Sequence, residues 1–220
     1  MRRRILFFTL ILMALAVISD ARGRAEIVLD LPAAADAAGG DGPTVFISEI
    51  SDDRRFEDRP AEANIPSVAE GGVAATTPEQ RLFFIARVRD GYGKARNNIF
   101  LDPSQPVDLV VRGLLEEGLA DLGYRVVGDP AQATVTVDVA IDRLWGYILV
   151  KGGGWAGTTP KMAGEMTTTL TIRGPGETVR QVEVSGETIH KFGLMTKKHW
   201  VQMFSELFED FLQNLRAAGL

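Results

Sequence analysis

Hydrophobic and polar positions alternate with two different periods along this chain, and the places where the period changes mark its elements. In residues 107–127, Val107, Val110, Val111, Leu114, Leu115, Leu119 and Leu122 follow a helical spacing, while Arg112, Glu116, Glu117 and Asp121 take the other face. Pro106 suits a first helical turn, and Gly123 suits the left-handed stop before a strand at Tyr124–Val127. Gly113 and Gly118 each cost about 1 kcal/mol relative to alanine inside a helix, so both are expected to face a close neighbour, the sheet or a second helix. That second helix begins after Thr196 and carries Trp200, Phe204, Leu207, Phe208, Phe211 and Leu215 on one side as far as about Ala217.

The other period is two. Val135, Val137, Val139 and Ile141 alternate with polar or small residues across 134–142, the pattern of a strand with one buried face. The phase breaks at Arg143-Leu144-Trp145, where a bulge is expected before Tyr147–Val150. Residues 163–173 place Met166, Thr168, Leu170 and Ile172 on one side, and Gly174-Pro175-Gly176 turns the chain back into a strand with Val182 and Val184. Further strands are expected at 44–50 and 81–88, and 26–31 reads as a short strand or an extended arm. The sum is an α+β fold, a two-layer sandwich in which a mostly antiparallel sheet carries two helices, about 106–122 and 197–217, on one face. The Thr134, Thr136, Thr167, Thr169 and Thr171 side is read as its solvent face, with strand addition at an edge as the functional alternative.

The N-terminus adds a compartment. Arg2, Arg3 and Arg4 precede an apolar run of 14 residues, Ile5 to Ile18, and then Ser19-Asp20-Ala21. A charged start, a short apolar run and a small-x-small site are the order of a secretory signal peptide, and the run is shorter than the roughly 20 residues a membrane span needs. Gly23-Arg24-Ala25 is a second site of the same form. The expected organisation is a leader over 1–21, a flexible arm or linker over 22–43 that includes the Ala/Gly-rich PAAADAAGGDGP, and one domain over 44–220. The destination is periplasmic or secreted, with no stable membrane insertion after cleavage.

Charge and composition exclude several classes. Net charge is −5, and the leader takes three arginines and one aspartate with it, which disfavours nucleic acid as a partner. No cysteine is present, which removes disulfides, thiol catalysis, thiolate metal sites and lipidation through cysteine.

The leader, the strand TVFISEISDDR, Asp90-Gly91-Tyr92-Gly93, Leu119-x-x-Leu122-Gly123-Tyr124 and the Val-Thr-Val-Asp-Val strand together resemble the YajG-like family of bacterial envelope proteins. The resemblance covers most of the mature chain and implies the fold and the envelope compartment. Members are usually outer-membrane lipoproteins with no assigned activity; this chain departs from them in having no lipobox cysteine.

Few residues suggest chemistry. His190 and His199 have no ligand spacing around them, and no metal or cofactor is expected. Glu49, Asp52, Asp53, Glu57 and Asp58 make the densest carboxylate group, but Arg54, Arg55 and Arg59 are interleaved, as in a charged turn with local ion pairs. Asp90-Gly91-Tyr92-Gly93-Lys94 lacks the spacing of a phosphate loop and reads as a tight turn presenting Tyr92. The glycine-rich KGGGWAGTTP of 151–160 carries Trp155, with Trp145 nearby across the hairpin. Tyr92, Trp145 and Trp155 are therefore the candidate partner or ligand contacts. The expected function is a non-enzymatic interaction or assembly module of the cell envelope with a protein partner. The alternatives are a carrier or sensor of an apolar or glycan ligand and, third, a hydrolase built on the carboxylates of 49–58.

Overall fold

A computed structural model describes residues 24–31, 42–68, 71–89, 95–149, 161–177, 179–191 and 196–219. Among these, strands β1 (Arg24–Ile27), β2 (Thr44–Asp52), β3 (Phe84–Arg89), β4 (Ala95–Leu101), β5 (Arg125–Val126), β6 (Val135–Leu149), β7 (Lys161–Arg173) and β8 (Val179–Lys191) form one eight-stranded sheet. Three helices accompany it: α1 (Pro78–Arg81), α2 (Val107–Asp121) and α3 (Lys197–Ala218). No described helix is long and apolar enough to cross a membrane.

The sheet is organised on β6. Along one side β6 pairs antiparallel with β7 from Thr136 opposite Arg173 to Leu149 opposite Lys161, and β7 pairs antiparallel with β8. Along its other side β6 is shared by two strands. Parallel β2 takes the first half, Val45 opposite Val135 to Asp52 opposite Ile141, and parallel β3 takes Gly146 and Tyr147. β2 carries parallel β5, while β3 carries antiparallel β4, which carries parallel β1. Four of the seven pairings are thus parallel. The expectation of a mostly antiparallel sheet is corrected to a mixed α/β arrangement: alternation records which face is buried, not the direction of the neighbouring strand.

Both long helices share one core with the inner face of the sheet. Val110, Val111, Leu114 and Leu115 of α2 and Trp200, Phe204, Leu207 and Phe211 of α3 pack with Val45, Ile47, Val137, Val139, Ile141, Met166 and Leu170, and each of these side chains is at most 2 % exposed. The expected bulge lies between Ile141 and Arg143. Val139 and Ile141 face inward before it, and Leu144 and Ile148 do so after it, while Trp145 joins a second cluster with Phe84, Phe100 and Val68.

The glycines divide. A Cβ on Gly118 would stand 2.4 Å from Leu215 Cδ2 and 3.2 Å from Leu212 Cδ2, so α2 and α3 touch there as expected. Gly113 has nothing within 4 Å of that position, which corrects its expected contact with a neighbour. The closest approach lies elsewhere: a Cβ on Gly186 of β8 would come within 2.8–2.9 Å of the Phe211 backbone, so α3 lies directly on β8. Asn214 of α3 donates to the Ser185 carbonyl at 2.8 Å, and the Glu187 N–H donates to Asp210 at 2.9 Å. These side chains occupy backbone groups of β8, a strand paired on one side only among the described residues, and so disfavour strand addition at that stretch.

Residues 24–31 belong to the folded body. β1 pairs with β4, Ile27 and Leu29 are 2 % and 3 % exposed, and Gln105 latches the Leu29 backbone through Nε2 to its carbonyl and Oε1 to its N–H. The arm expected over 22–43 is a strand for part of its length. β4, to which the sequence pattern assigned no element, forms because β1 and β3 satisfy its two edges.

A candidate binding cleft at the fork between two strands

Where β2 leaves β6 and before β3 joins it, the side of β6 facing them has no strand partner among the described residues. The Asp53 N–H still reaches the Ile141 carbonyl at 3.1 Å, and pairing resumes only at Gly146 opposite Ala86. Backbone groups in such a gap must find other partners, because a buried unpaired carbonyl costs about 1–3 kcal/mol. Arg54 supplies them. Its Nη1 donates to the Phe84 carbonyl at 2.7 Å and to the Leu144 carbonyl at 3.1 Å, and its Nη2 donates to the Arg81 carbonyl at 2.8 Å. Asp52 balances the charge, accepting from Nε at 2.7 Å and from Nη2 at 2.9 Å, and the Arg54 side chain is fully buried. The planar five-donor guanidinium suits this task and a lysine ammonium does not.

The chain beyond Arg54 then runs across the outer face of the sheet. Phe56 lies 5.2 Å below the Arg54 guanidinium and meets Trp145 and Phe84 edge-on at 6.1 and 6.4 Å. Trp145 Nε1 donates to the Ala63 carbonyl at 3.3 Å, and Arg87 of β3 donates to Ser67 Oγ and the Val68 carbonyl. Burial holds the Arg87 guanidinium below its ordinary pKa. Asp58 accepts from the Val73 N–H, and Thr77 closes α1 with a capping box to Gln80.

Between this covering segment and the fork opens a cleft of about 380 Å³, lined by Asp52, Arg54, Phe56, Val73, Pro78, Glu79, Arg81 and Leu82. Its floor is the Asp52–Arg54 pair and its walls are largely apolar, with Glu79 and Arg81 bringing opposite charges to α1. The hydrogen bond from the Thr77 hydroxyl keeps the exposed Glu79 carboxyl below its ordinary value. The cleft stands at the carboxyl end of β2, a parallel strand, at a point where the pairing switches from one neighbour to another.

The residues singled out in the sequence scatter. Trp145 is 0 % exposed and belongs to the packing behind Phe56, so the cleft touches it only through that ring. Tyr92 and Trp155 lie outside the described residues, as do the 151–160 loop and the leader. The carboxylates of 49–58 do not converge: Asp52 is committed to Arg54, Asp58 to the Val73 N–H, and Glu49 and Asp53 are exposed. In the sequence, the arginine that organises the cleft looks like one of several in a charged turn. Its only local signal is its place directly after a β-branched strand.

Two other polar groupings form only in three dimensions. On the outer face, Tyr147 donates to Glu165 Oε1 at 2.6 Å, Arg143 pairs with the same carboxylate, and Asn64 reaches it at 3.3 Å. Burial, and then the bond to Glu165, push the Tyr147 phenol well above its ordinary value. At the far end of β8, His190 Nδ1 lies 3.0 Å from Glu206 Oε1, and the His199 ring is 6.1 Å from the His190 ring. Among the described residues no group of three or more potential ligands is placed to hold a metal ion.

No protein-family model matches the chain, and no curated protein matches it. Among solved structures, it is similar to the crystal structure of a Xanthomonas campestris protein assigned to the family DUF330, with 10% identity over 88% of this chain and 91% of that one and a TM-score of 0.42.

Proposed function

We propose that this chain is a non-enzymatic binding module of the bacterial cell envelope, exported by its N-terminal leader, and that it engages a protein partner through the cleft at the fork between β2 and β3. The observation that carries this reading is the commitment of Asp52. The one carboxylate on the cleft floor is held by a buried guanidinium through both oxygens, a fixed ion pair that favours a structural role for Asp52 over proton transfer. What remains in the cleft is apolar surface from Phe56, Val73, Pro78 and Leu82 with a charged residue of each sign on α1, a composition suited to holding a side chain or short segment of another molecule. The core between sheet and helices is filled by side chains with little or no exposure, which speaks against a ligand carried there.

The test is crosslinking followed by affinity purification of the mature protein from envelope extracts, with the native residue or Glu at position 81. Recovery of one reproducible envelope protein with the native chain and its loss with Arg81→Glu supports the reading. Equal recovery with both chains sinks the role of the cleft, and no reproducible partner sinks the module.

A further inference from the structure

Four charged side chains line the cleft, and three of them are answered within the chain. Asp52 and Arg54 hold each other, and the exposed Glu79 carboxyl accepts from the Thr77 hydroxyl. Arg81 is the exception. It stands two positions from Glu79 on α1, a spacing at which helical side chains do not face each other, and among the described residues no carboxylate lies within ion-pair distance of its guanidinium. We propose that the partner segment held in this cleft presents a carboxylate to Arg81 and, beside it, an apolar side chain to Phe56, Val73 and Leu82; the inference rests on the module reading above.

The backbone of Arg81 is tied at both ends. Its N–H donates to the Thr77 carbonyl at 3.2 Å, and its carbonyl accepts from Arg54 Nη2 at 2.8 Å, so the root of the side chain is fixed before a partner arrives and less ordering is left for binding to offset. The guanidinium is half-buried, and its planar fork of donors matches a carboxylate through two parallel bonds. Size and charge narrow the occupant further. A cleft of about 380 Å³ is near the lower end of the roughly 300–1,000 Å³ of small-molecule pockets, room for one or two side chains and not for a helix laid along a groove. The formal charges of the four lining residues cancel, so a single carboxylate meets one open guanidinium, whereas a doubly charged phosphate would face Asp52 and Glu79 with no second open cation. A cationic side chain is repelled by Arg81 and finds in Glu79 only a carboxylate open to water, where attraction is screened.

The experiment is an NMR titration of the mature protein with three capped dipeptides, acetyl-Leu-Asp-amide, acetyl-Leu-Asn-amide and acetyl-Leu-Lys-amide, followed at the backbone amides of Phe56, Val73, Arg81 and Leu82. The Asp peptide is expected to shift these amides and to bind about fivefold to tenfold more tightly than its Asn counterpart. In Arg81→Gln, whose backbone carbonyl still serves Arg54, that preference is expected to vanish while amides away from the cleft keep their positions. Equal binding of the Asp and Asn peptides to the native chain, tighter binding of the Lys peptide, a preference that survives in Arg81→Gln, or no shift at these amides with the Asp peptide at millimolar concentration overturns the inference. Displacement of the Asp peptide by an equal concentration of inorganic phosphate overturns it as well. None of these outcomes touches the module reading, which stands or falls on capture of a reproducible envelope protein.

Discussion

Arg54 and Asp52, two residues apart at the end of β2, form a two-contact ion pair with Nε–Oδ1 at 2.7 Å and Nη2–Oδ2 at 2.9 Å, and the arginine side chain is inaccessible to water. The same guanidinium closes three backbone carbonyls from Arg81, Phe84 and Leu144. The pair therefore joins β2, β3 and β6 where the sheet divides.

Removing either member of this pair strands the other. Arg54→Ala leaves the Asp52 charge and three carbonyls without the donor they share, and breaking a buried pair costs about 3–5 kcal/mol. Arg54→Lys is expected to recover little, since one ammonium cannot span these acceptors. Urea unfolding at neutral pH checks this through a lower midpoint at an unchanged slope. A loss below about 1 kcal/mol for Arg54→Ala, the range of an exposed pair, would contradict the role assigned to it.

Two glycine substitutions are expected to move stability in opposite directions. Gly113 lies inside α2 with open space around its Cβ position, so Gly113→Ala gains about 0.4–1 kcal/mol from the helical preference of alanine and a less flexible unfolded chain. Gly186→Ala drives a methyl group into the Phe211 backbone at 2.8–2.9 Å, and overpacking of this kind costs about 1–3 kcal/mol. Thermal unfolding of the two variants beside the native chain reads both signs.

Tyr147 links stability to alkaline pH. Burial first, then the hydrogen bond to Glu165, raises its folded pKa above the ordinary value, so the native state holds this proton more tightly than the unfolded state. Its contribution is complete below the ordinary tyrosine value of about 10 and declines as pH rises beyond it toward the folded value. Denaturant titrations between neutral pH and alkaline conditions should show a shallower decline above about pH 10 for Tyr147→Phe than for the native chain. At neutral pH that variant loses the bond to a charged acceptor, about 1.5–3 kcal/mol.

The cleft can be changed without touching its floor. Arg81 contributes its backbone carbonyl to Arg54, and its side chain is half-buried at the cleft, so Arg81→Glu is expected to keep stability within about 0.5 kcal/mol while partner capture is lost. Loss of capture accompanied by a large fall in stability would attribute the effect to unfolding instead.

The amino-acid pattern alone determined the elements whose burial repeats locally. α2 and α3 fall within one or two residues of their expected bounds. The β6 bulge and the β7–β8 hairpin were readable because one apolar face recurs every two residues until an extra residue shifts it. The tertiary structure decided the rest. β4, with Arg96, Asn97 and Asn98 in its middle, has no alternation to read and becomes a strand because β1 and β3 flank it. The parallel direction of β2 and β3 along β6 leaves no mark on the period of any one strand. His190 and His199 meet only because α3 returns across the end of β8. Arg54 looks in the sequence like its neighbours Arg55 and Arg59, yet it is buried while they are exposed. Periodicity reports how a residue faces its own element. The identity of a partner tens of residues away depends on long-range packing, which gathered at this fork a guanidinium, a carboxylate and three carbonyls from separate parts of the chain.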